Sequence, residues 1–180
     1  MRSWSGIARR VRVPLGFAFA AVYLWLARPT ALSIAIGGAL ALLGVALRAA
    51  AAGHITKDAA LTTRGPYALI RNPLYVGSAI IAAGFAVAAC SPLVVVGLMA
   101  LFALVYLPVV RAEEEYLRSR FPEYAEYARR VPRFLPRLGD LSAVPGGFRR
   151  ERYWRHREYN ALLGTAGMLA ALVLKLLRWT

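Results

Sequence analysis

Residues 65–77 read G-P-Y-A-L-I-R-N-P-L-Y-V-G and lie where polar sequence gives way to an apolar run. The dipeptides Gly65-Pro66 and Asn72-Pro73 are typical of turns and helix boundaries. Each proline lacks a backbone donor and moves the residue before it away from helical geometry. We therefore expect Asn72 to cap the free amides of a helix that begins at Pro73. The stretch predicts a polar loop that leads into a membrane helix.

The composition outside this stretch is also that of a membrane protein. Hydrophobic residues make up 59% of the 180 residues, and the mean hydropathy is +0.50. A soluble domain is closer to half apolar. Neither a domain boundary nor an internal repeat is evident. The length and composition predict one compact unit over residues 1–180.

Apolar segments and breakers predict an all-α, polytopic integral membrane protein with about five transmembrane helices and cytoplasm-facing amphipathic segments. Arg28-Pro29 follows the first segment without a convincing small-residue cleavage site, which favours a helix over a signal peptide. The fourth helix is expected to continue as polar helix to residue 127, with a break at Pro122. Residues 148–159 are expected to form an amphipathic helix on the membrane surface. The five predicted spans are residues 13–27, 31–53, 74–89, 92–110 and 161–174.

The net charge of +14 raises the possibility of nucleic-acid binding, but the arginines alternate with carboxylates or flank apolar segments. That distribution is typical of membrane proteins and argues against nucleic acid as a partner. Nearly all Lys and Arg lie in the leader and in residues 53–73 and 111–159, and almost none lie near Arg28 or Ser91. The asymmetry predicts a cytoplasmic N-terminus, cytoplasmic charged segments and an outside C-terminus.

Single side chains support further expectations. The lone Cys90 excludes an internal disulfide, and His54 and His156 lack metal-ligand spacing, so we expect no metal site. Arg48 either extends to the membrane surface or faces a polar cavity. The remaining expectations concern the membrane surfaces: Tyr23 and Trp25 in an aromatic belt, Lys175 and Arg178 extended to the surface beside Trp179, and Tyr116, Tyr124 and Tyr127 as interfacial residues.

The short turn at Cys90-Ser91 predicts an antiparallel helix hairpin. Pro73 lies 18 residues before Ser91, and Glu113 lies 22 residues after it. At about 1.5 Å per residue, both arms span roughly 27–33 Å. Residues 72–75 and the pair Glu113-Glu114 are therefore expected side by side at the cytoplasmic surface. Such a site suits an enzyme with one polar and one lipid-soluble substrate.

These two motifs resemble the membrane methyltransferases, which include isoprenylcysteine carboxyl methyltransferases and phospholipid amine methyltransferases. The resemblance rests on G-P-Y-x-x-x-R-N-P-x-Y-x-G at 65–77 and E-E-x-x-L at 113–117. It continues through Phe121-Pro122, Tyr124, Tyr127, Val131-Pro132-Arg133 and Pro136, and covers about residues 54–137. The resemblance implies a methyltransferase that uses S-adenosylmethionine and acts on a lipid-like acceptor, with membrane lipids as its surroundings.

By position, the resemblance implies a set of cofactor-binding residues: Ala60, Leu61, Thr62, Tyr67, Asn72, Pro73, Leu74, Tyr75 and Glu113. The candidate catalytic residues are Arg71, Glu113 and Glu114. Two positions depart from the family pattern. Asn72 stands where many members have His, and Val109 stands where members acting on prenylated cysteine have an arginine. The prenylcysteine carboxylate, a phospholipid amine and other acceptors all stay open.

Methyl transfer from a sulfonium requires mainly alignment, which can lower a barrier by up to about 7–11 kcal/mol. Glu113 is suited to bind the ribose or ammonium of the cofactor, and the Tyr75 ring is suited to contact its sulfonium. Glu114 is a candidate proton acceptor if the methyl acceptor is an amine or a thiol. Two alternatives remain: a sterol-type membrane reductase that uses NADPH, and a non-catalytic membrane protein.

Overall fold

The computed structural model describes residues 18–55, 60–136 and 147–179, and the regular elements within them are helices. In chain order these are α1 (18–26), α2 (Ala31–His54), α3 (Pro66–Leu69), α4 (Pro73–Ala89), α5 (Pro92–Leu101), a π-helical turn (Phe102–Tyr106), α6 (Leu107–Arg120), α7 (Tyr124–Arg130), α8 (Arg150–Arg155) and α9 (Tyr159–Trp179).

Within the described residues, three helices are long and apolar enough to cross a membrane: α2, the continuous helix Pro92–Arg120, and α9. The apolar helix α4 is shorter, with 17 residues. Large apolar side chains such as Leu43, Met99 and Leu163 lie exposed on the outer faces of these helices, as expected of surfaces that contact lipid. The expected all-helical architecture is thus confirmed for the described residues, and three of the five predicted spans, 31–53, 92–110 and 161–174, correspond to helices long enough to cross a membrane. The first predicted span, 13–27, lies partly outside the described residues.

α2 and α4 form a closely packed antiparallel pair. A Cβ placed on Gly44 would lie 2.6 Å from the carbonyl oxygen of Gly77, and one on Gly77 would lie 2.6 Å from Cγ of Arg48. Glycine at these positions lets the two backbones approach, as small residues do between membrane helices. The glycine that closes the 65–77 motif therefore has a packing role.

At the end of the bundle that carries the Cys90 turn, the packing corrects the expectation for Tyr23. Tyr23 is only 2% exposed and donates a 2.9 Å hydrogen bond to the carbonyl of Phe85, so its assignment to an aromatic belt is wrong. Trp25 is 80% exposed, as a belt residue would be. Lys175 donates to the carbonyl oxygens of Leu24 and Trp25 at the end of α1, which its long side chain reaches from α9.

The helix Pro92–Arg120 contains a wider turn at residues 102–106, where the amide of Leu107 donates to the carbonyl of Phe102. Pro108 lies two residues after the end of this turn. A proline inside a helix removes one amide donor and its ring clashes with the carbonyl four residues earlier. A π-helical turn is a common response to such an obstruction in a membrane helix.

The opposite end of the bundle carries the polar segments. The amide of Arg149 donates to the carbonyl of Gly53, and Arg152 donates to that of His54, so residues 147–155 pack on the end of α2. The expected break at Pro122 is present, between α6 and α7. The predicted amphipathic helix 148–159 is shorter than expected, because α8 ends at Arg155 and a turn precedes α9.

Candidate functional site

An open cavity lies where α4 begins and the polar part of α6 runs beside it. It encloses about 800 Å³ of empty space, counted together with its mouth. Four chain segments supply the lining residues: Ile55, Ala60, Leu61 and Thr62; Tyr67, Arg71, Asn72, Pro73, Leu74 and Tyr75; Glu113, Tyr116 and Leu117; and Phe121, Tyr124 and Tyr127.

The 65–77 motif forms a tight turn, the single-turn helix α3 and the start of α4. Gly65 has φ of 62°, a conformation that glycine adopts readily, and its Cα lies against the His54 ring. Pro73 occupies the first turn of α4, as predicted. Asn72 is at the N-cap position but its side chain does not cap the helix, so that expectation is wrong. The Asn72 side chain bonds Glu114 instead.

The hydroxyl of Tyr75 donates a 2.8 Å hydrogen bond to Oε2 of Glu113. Both residues line the cavity. The contact joins the first turn of α4 to α6, and it is the meeting of the two motifs that the hairpin geometry predicts. A Tyr106 ring packs edge-on against the Tyr75 ring, with centroids 6.2 Å apart. The Tyr75 ring is therefore held from two sides.

Glu114 lies behind the cavity wall and is not one of its lining residues. Its residue exposure is 5%. Nδ2 of Asn72 donates to Oε1 at 2.7 Å, and Arg133 donates from Nε and Nη2 at 2.7–3.1 Å. Nη1 of Arg71 lies 3.5 Å from Oε2. One buried carboxylate thus links both motifs to the segment that follows α7, and the bonds to Glu114 raise the pKa of Arg133.

Two buried donors at the cavity, the Tyr67 hydroxyl and Nε of Arg71, have no hydrogen-bond partner among residues 18–55, 60–136 and 147–179. A buried polar group without a partner costs about 1–3 kcal/mol. Burial raises the pKa of Tyr67, and Glu113, Tyr127 and Glu158 add to the shift. The hydroxyl consequently keeps its proton at neutral pH. Together the two groups are donors available to a ligand.

Tyr124 and Tyr127 were expected at the membrane interface, and that expectation is wrong. Their exposures are 1% and 7%. The Tyr127 hydroxyl donates to the carbonyl of Tyr67 at 2.7 Å, and Nη1 of Arg71 donates to the Tyr124 hydroxyl at 3.4 Å. Burial raises the pKa of both tyrosines. α7 therefore forms part of the cavity wall.

The structure brings ten of the predicted site residues into one cavity wall: Ala60, Leu61, Thr62, Tyr67, Arg71, Asn72, Pro73, Leu74, Tyr75 and Glu113. Six lining residues were not predicted: Ile55, Tyr116, Leu117, Phe121, Tyr124 and Tyr127. The spacing of Tyr124 and Tyr127, three residues apart, was an available signal because it places both on one helical face. Within the described part of the chain, no three His, Cys, Asp or Glu side chains are grouped to hold a metal ion.

The curated proteins that this chain resembles include two that are named as metal-resistance proteins and one that is named as a methyltransferase. The chain is 49% identical to the cobalt-zinc-cadmium resistance protein CzcN of Cupriavidus metallidurans and 42% identical to the nickel-cobalt-cadmium resistance protein NccN of Alcaligenes xylosoxydans xylosoxydans. Each match covers 83 residues, 46% of this chain and 38% of the relative. It is 34% identical over 77 residues to protein-S-isoprenylcysteine O-methyltransferase B of Arabidopsis thaliana, across 42% of this chain and 39% of that protein.

The matches to these relatives therefore span less than two fifths of each relative's length. No solved structure matches the chain significantly. A wider match comes from the family model described as phospholipid methyltransferase, which covers residues 15–124, more than half of the 180 residues. This range includes the 65–77 motif, the two glutamates and the helices that carry them. The chain belongs to the phospholipid methyltransferase family.

Proposed function

We propose that the protein is an S-adenosylmethionine-dependent methyltransferase that acts on a lipid-like acceptor at the cytoplasmic membrane surface. The observation that carries the proposal is the joining of both motifs in one cavity through Tyr75 and Glu113. Family membership supports methyl transfer as the reaction class.

The donor set of the cavity fits the polar end of S-adenosylmethionine. That end carries an ammonium and a carboxylate, and a ribose with two hydroxyls lies beside it. Glu113 can accept hydrogen bonds from the ammonium or the ribose. Arg71 Nε and the Tyr67 hydroxyl, which have no partner among the described residues, can donate to the carboxylate or to other acceptor atoms. Leu117, Phe121 and the tyrosine rings offer apolar surface for a planar base.

When bound, S-adenosylmethionine supplies a methyl group on a positively charged sulfur. The residues of this chain have two tasks: they hold the donor and acceptor in line, and they exclude water from the reacting centre. The Tyr75 ring is suited to stabilise a cation over its face. Its hydroxyl bond to Glu113 fixes the plane of that ring. Arg71 is close enough to the cavity to orient an anionic group.

Glu114 is better suited to positioning than to proton transfer. Its oxygens are occupied by Asn72 and Arg133, and it lies outside the cavity lining. We therefore assign Glu114 a positioning role: it fixes the side chains of Asn72, Arg71 and Arg133 relative to one another. Glu113 is the carboxylate that a ligand in the cavity would meet.

The position of the cavity supports a membrane-partitioned acceptor. It opens beside the start of α4 and the polar part of α6, and exposed apolar side chains such as Leu104 and Met99 lie farther along the helix that carries Glu113. The Lys/Arg distribution supports a cytoplasmic position for this side in the proposed five-span arrangement, with the C-terminal end of α9 outside. An amphiphile whose reactive group lies at headgroup depth would reach the cavity from the lipid.

The proposal is tested by incubating purified protein with host lipid extract and S-adenosylmethionine labelled on its methyl group. We expect label in a chloroform-soluble product, and a large loss of that product with Glu113→Gln. Label found only in water-soluble molecules would contradict a lipid acceptor. Binding of NADPH without binding of S-adenosylmethionine would favour the reductase alternative, and binding of neither would favour a non-catalytic protein.

A further inference from the structure

A second polar cluster inside the helix bundle is built on Arg48 of α2. Its Nε and Nη2 atoms donate to the two carboxylate oxygens of Glu158 at 3.0 and 2.9 Å. Its Nη1 donates to the carbonyl of Leu74 at 3.2 Å and to the hydroxyl of Ser78 at 2.5 Å. The side chains of Arg48 and Glu158 are 22% and 11% exposed. Of the two alternatives for Arg48, these contacts favour a polar environment inside the bundle over extension to the membrane surface.

Arg48 crosses α4 where the motif ends in glycine. A Cβ on Gly77 would lie 2.6 Å from Cγ of Arg48, so any side chain at residue 77 would displace the arginine stem. Beyond that crossing, the guanidinium reaches the carbonyl of Leu74, to which Ser78 also donates at 3.1 Å. Leu74 lines the cavity, and Tyr75 follows it. Arg48 thus holds the turn of α4 from which Tyr75 projects towards Glu113.

Glu158 reaches Arg48 from the short connection between α8 and α9. Arg157, directly before it, has φ of 53°, which is uncommon for a residue with a side chain. The amide of Arg157 donates to the carbonyl of Trp154, and that of Glu158 donates to Tyr153. A left-handed residue persists where its surroundings determine it strongly. The left-handed conformation of Arg157 turns the chain so that the Glu158 carboxylate points into the helix bundle.

The ion pair also lies close to the cavity wall. Glu158 raises the pKa of the Tyr67 hydroxyl and Arg48 lowers it, which places both charges within electrostatic reach of that unpartnered group. Ionisable residues inside a membrane bundle are uncommon and tend to be functional. Glu158 lies outside residues 15–124, the part of the chain that the family model matches.

We propose that Arg48 and Glu158 are positioning residues for the cavity: together they set the place of Leu74 and Tyr75 relative to Glu113. The inference rests on the proposed function for its link to S-adenosylmethionine. It assigns a role in the site to the C-terminal part of the chain. A planar guanidinium that bonds a carboxylate, a carbonyl and a hydroxyl at once is only partly replaced by the point charge of lysine.

The test uses full-length protein in detergent and four variants: Arg48→Met, Arg48→Lys, Glu158→Gln and, as the matched control, Lys175→Met. Lys175 also donates to helix carbonyls, but at the opposite end of the bundle. Two quantities are measured on folded, monodisperse samples: hydrogen exchange of the amides in residues 73–80, and the Kd for S-adenosylmethionine by calorimetry.

We expect faster exchange in residues 73–80 for Arg48→Met and Glu158→Gln, with Kd raised about tenfold or more. Arg48→Lys should recover part of the affinity, and Lys175→Met should change neither quantity, although its melting temperature falls. If Arg48→Met does not fold, Glu158→Gln alone carries the test. Exchange and Kd equal to those of the wild type in Glu158→Gln would overturn the inference. Absence of S-adenosylmethionine binding by the wild-type protein would overturn the proposed function instead, and the exchange measurement would still decide the positioning role.

Discussion

The Tyr75 hydroxyl lies 2.8 Å from a carboxylate oxygen of Glu113, although 38 residues and a complete helix hairpin separate the two residues in the chain. The contact makes a tyrosine of the Asn-Pro motif and a glutamate of the Glu-Glu motif neighbours in one cavity wall. Loss of either side chain changes the surroundings of the other. The first prediction uses this coupling.

Glu113→Gln should weaken the binding of S-adenosylmethionine about ten- to a hundredfold, because charge-assisted hydrogen bonds are worth about 1.5–3 kcal/mol. Tyr75→Phe should also weaken binding, and the double variant should lose less than the sum of the two changes. Calorimetric titration in detergent measures these effects. Glu115→Gln is the control, since Glu115 is exposed and absent from the cavity lining. An equal loss with Glu115→Gln would indicate a general charge effect rather than a site.

Tyr67→Phe should separate stability from binding. Its hydroxyl is buried without a hydrogen-bond partner in the described structure, so removing it should leave the melting temperature unchanged or higher. We expect affinity for S-adenosylmethionine to fall roughly five- to tenfold, the equivalent of about 1–1.4 kcal/mol. Tyr127→Phe is the counterpart. It removes the bond to the Tyr67 carbonyl and should cost about 1–3 kcal/mol of stability. Unchanged affinity in Tyr67→Phe would exclude that hydroxyl from the ligand site.

Alkaline pH should destabilise the protein through its buried tyrosines. Burial raises the pKa values of Tyr67 and Tyr127 above the ordinary value of 10.0. Their stabilising contribution is therefore complete below pH 10 and is lost as the pH rises above it, because only the unfolded state then releases these protons. Melting temperatures measured from about pH 8 to about pH 11 should fall less steeply in Tyr67→Phe than in the wild type. Parallel curves for the two proteins would contradict this origin.

Gly77→Ala should destabilise the α2–α4 pair by roughly 1–3 kcal/mol, because the added methyl group would overlap Arg48 and lie 2.9 Å from the carbonyl oxygen of Gly44. Thermal unfolding in detergent measures the change. The matched control is Gly164→Ala on α9, where an added Cβ has no neighbour within 4 Å among the described residues. Alanine favours a helix over glycine, so this control should be neutral or stabilising. Similar losses in both variants would indicate that close approach is not the reason for Gly77.

Reporter fusions test the orientation. Fusions after Leu61 and after Asp140 should report the cytoplasm, and one after Thr180 should report the outside, because Lys and Arg concentrate in the two internal polar segments. A fusion in the turn after Ser91 should also report the outside. A cytoplasmic signal after Thr180 would contradict the five-span arrangement.

The sequence was sufficient for those parts of the site that depend on helix length and motif position. Counting residues on both sides of Ser91 predicted the meeting of Tyr75 with Glu113, since helical rise is nearly constant. The hydrogen-bond partners of individual side chains were harder to predict from the sequence. Arg48 pairs with Glu158, 110 residues away, and no local pattern predicts a contact of that separation. Asn72 has the residue type and position of a helix cap, but a buried carboxylate on another helix is a stronger partner for its amide.

The environments of the tyrosines were also hard to predict from the local sequence. Tyr23, Tyr124 and Tyr127 resemble interfacial residues because a ring with a polar tip suits a membrane boundary. In the structure all three are buried, and the Tyr23 and Tyr127 hydroxyls donate to backbone carbonyls of other segments. Which of the two environments a tyrosine occupies depends on how neighbouring helices pack, and that packing is not encoded in the residues next to it.

The π-helical turn at residues 102–106 determines the direction in which the side chains of α6 point around the helix axis. One residue corresponds to a rotation of about 100° around the axis of an α-helix. If the same residues kept regular α-helical geometry through this turn, residues 107–120 would be rotated by up to about that angle and moved along the axis by about 1.5 Å. Glu113 would then face away from Tyr75, while the membrane half of the helix kept its place. A single extra residue in mid-membrane thus determines the direction in which the site carboxylate points.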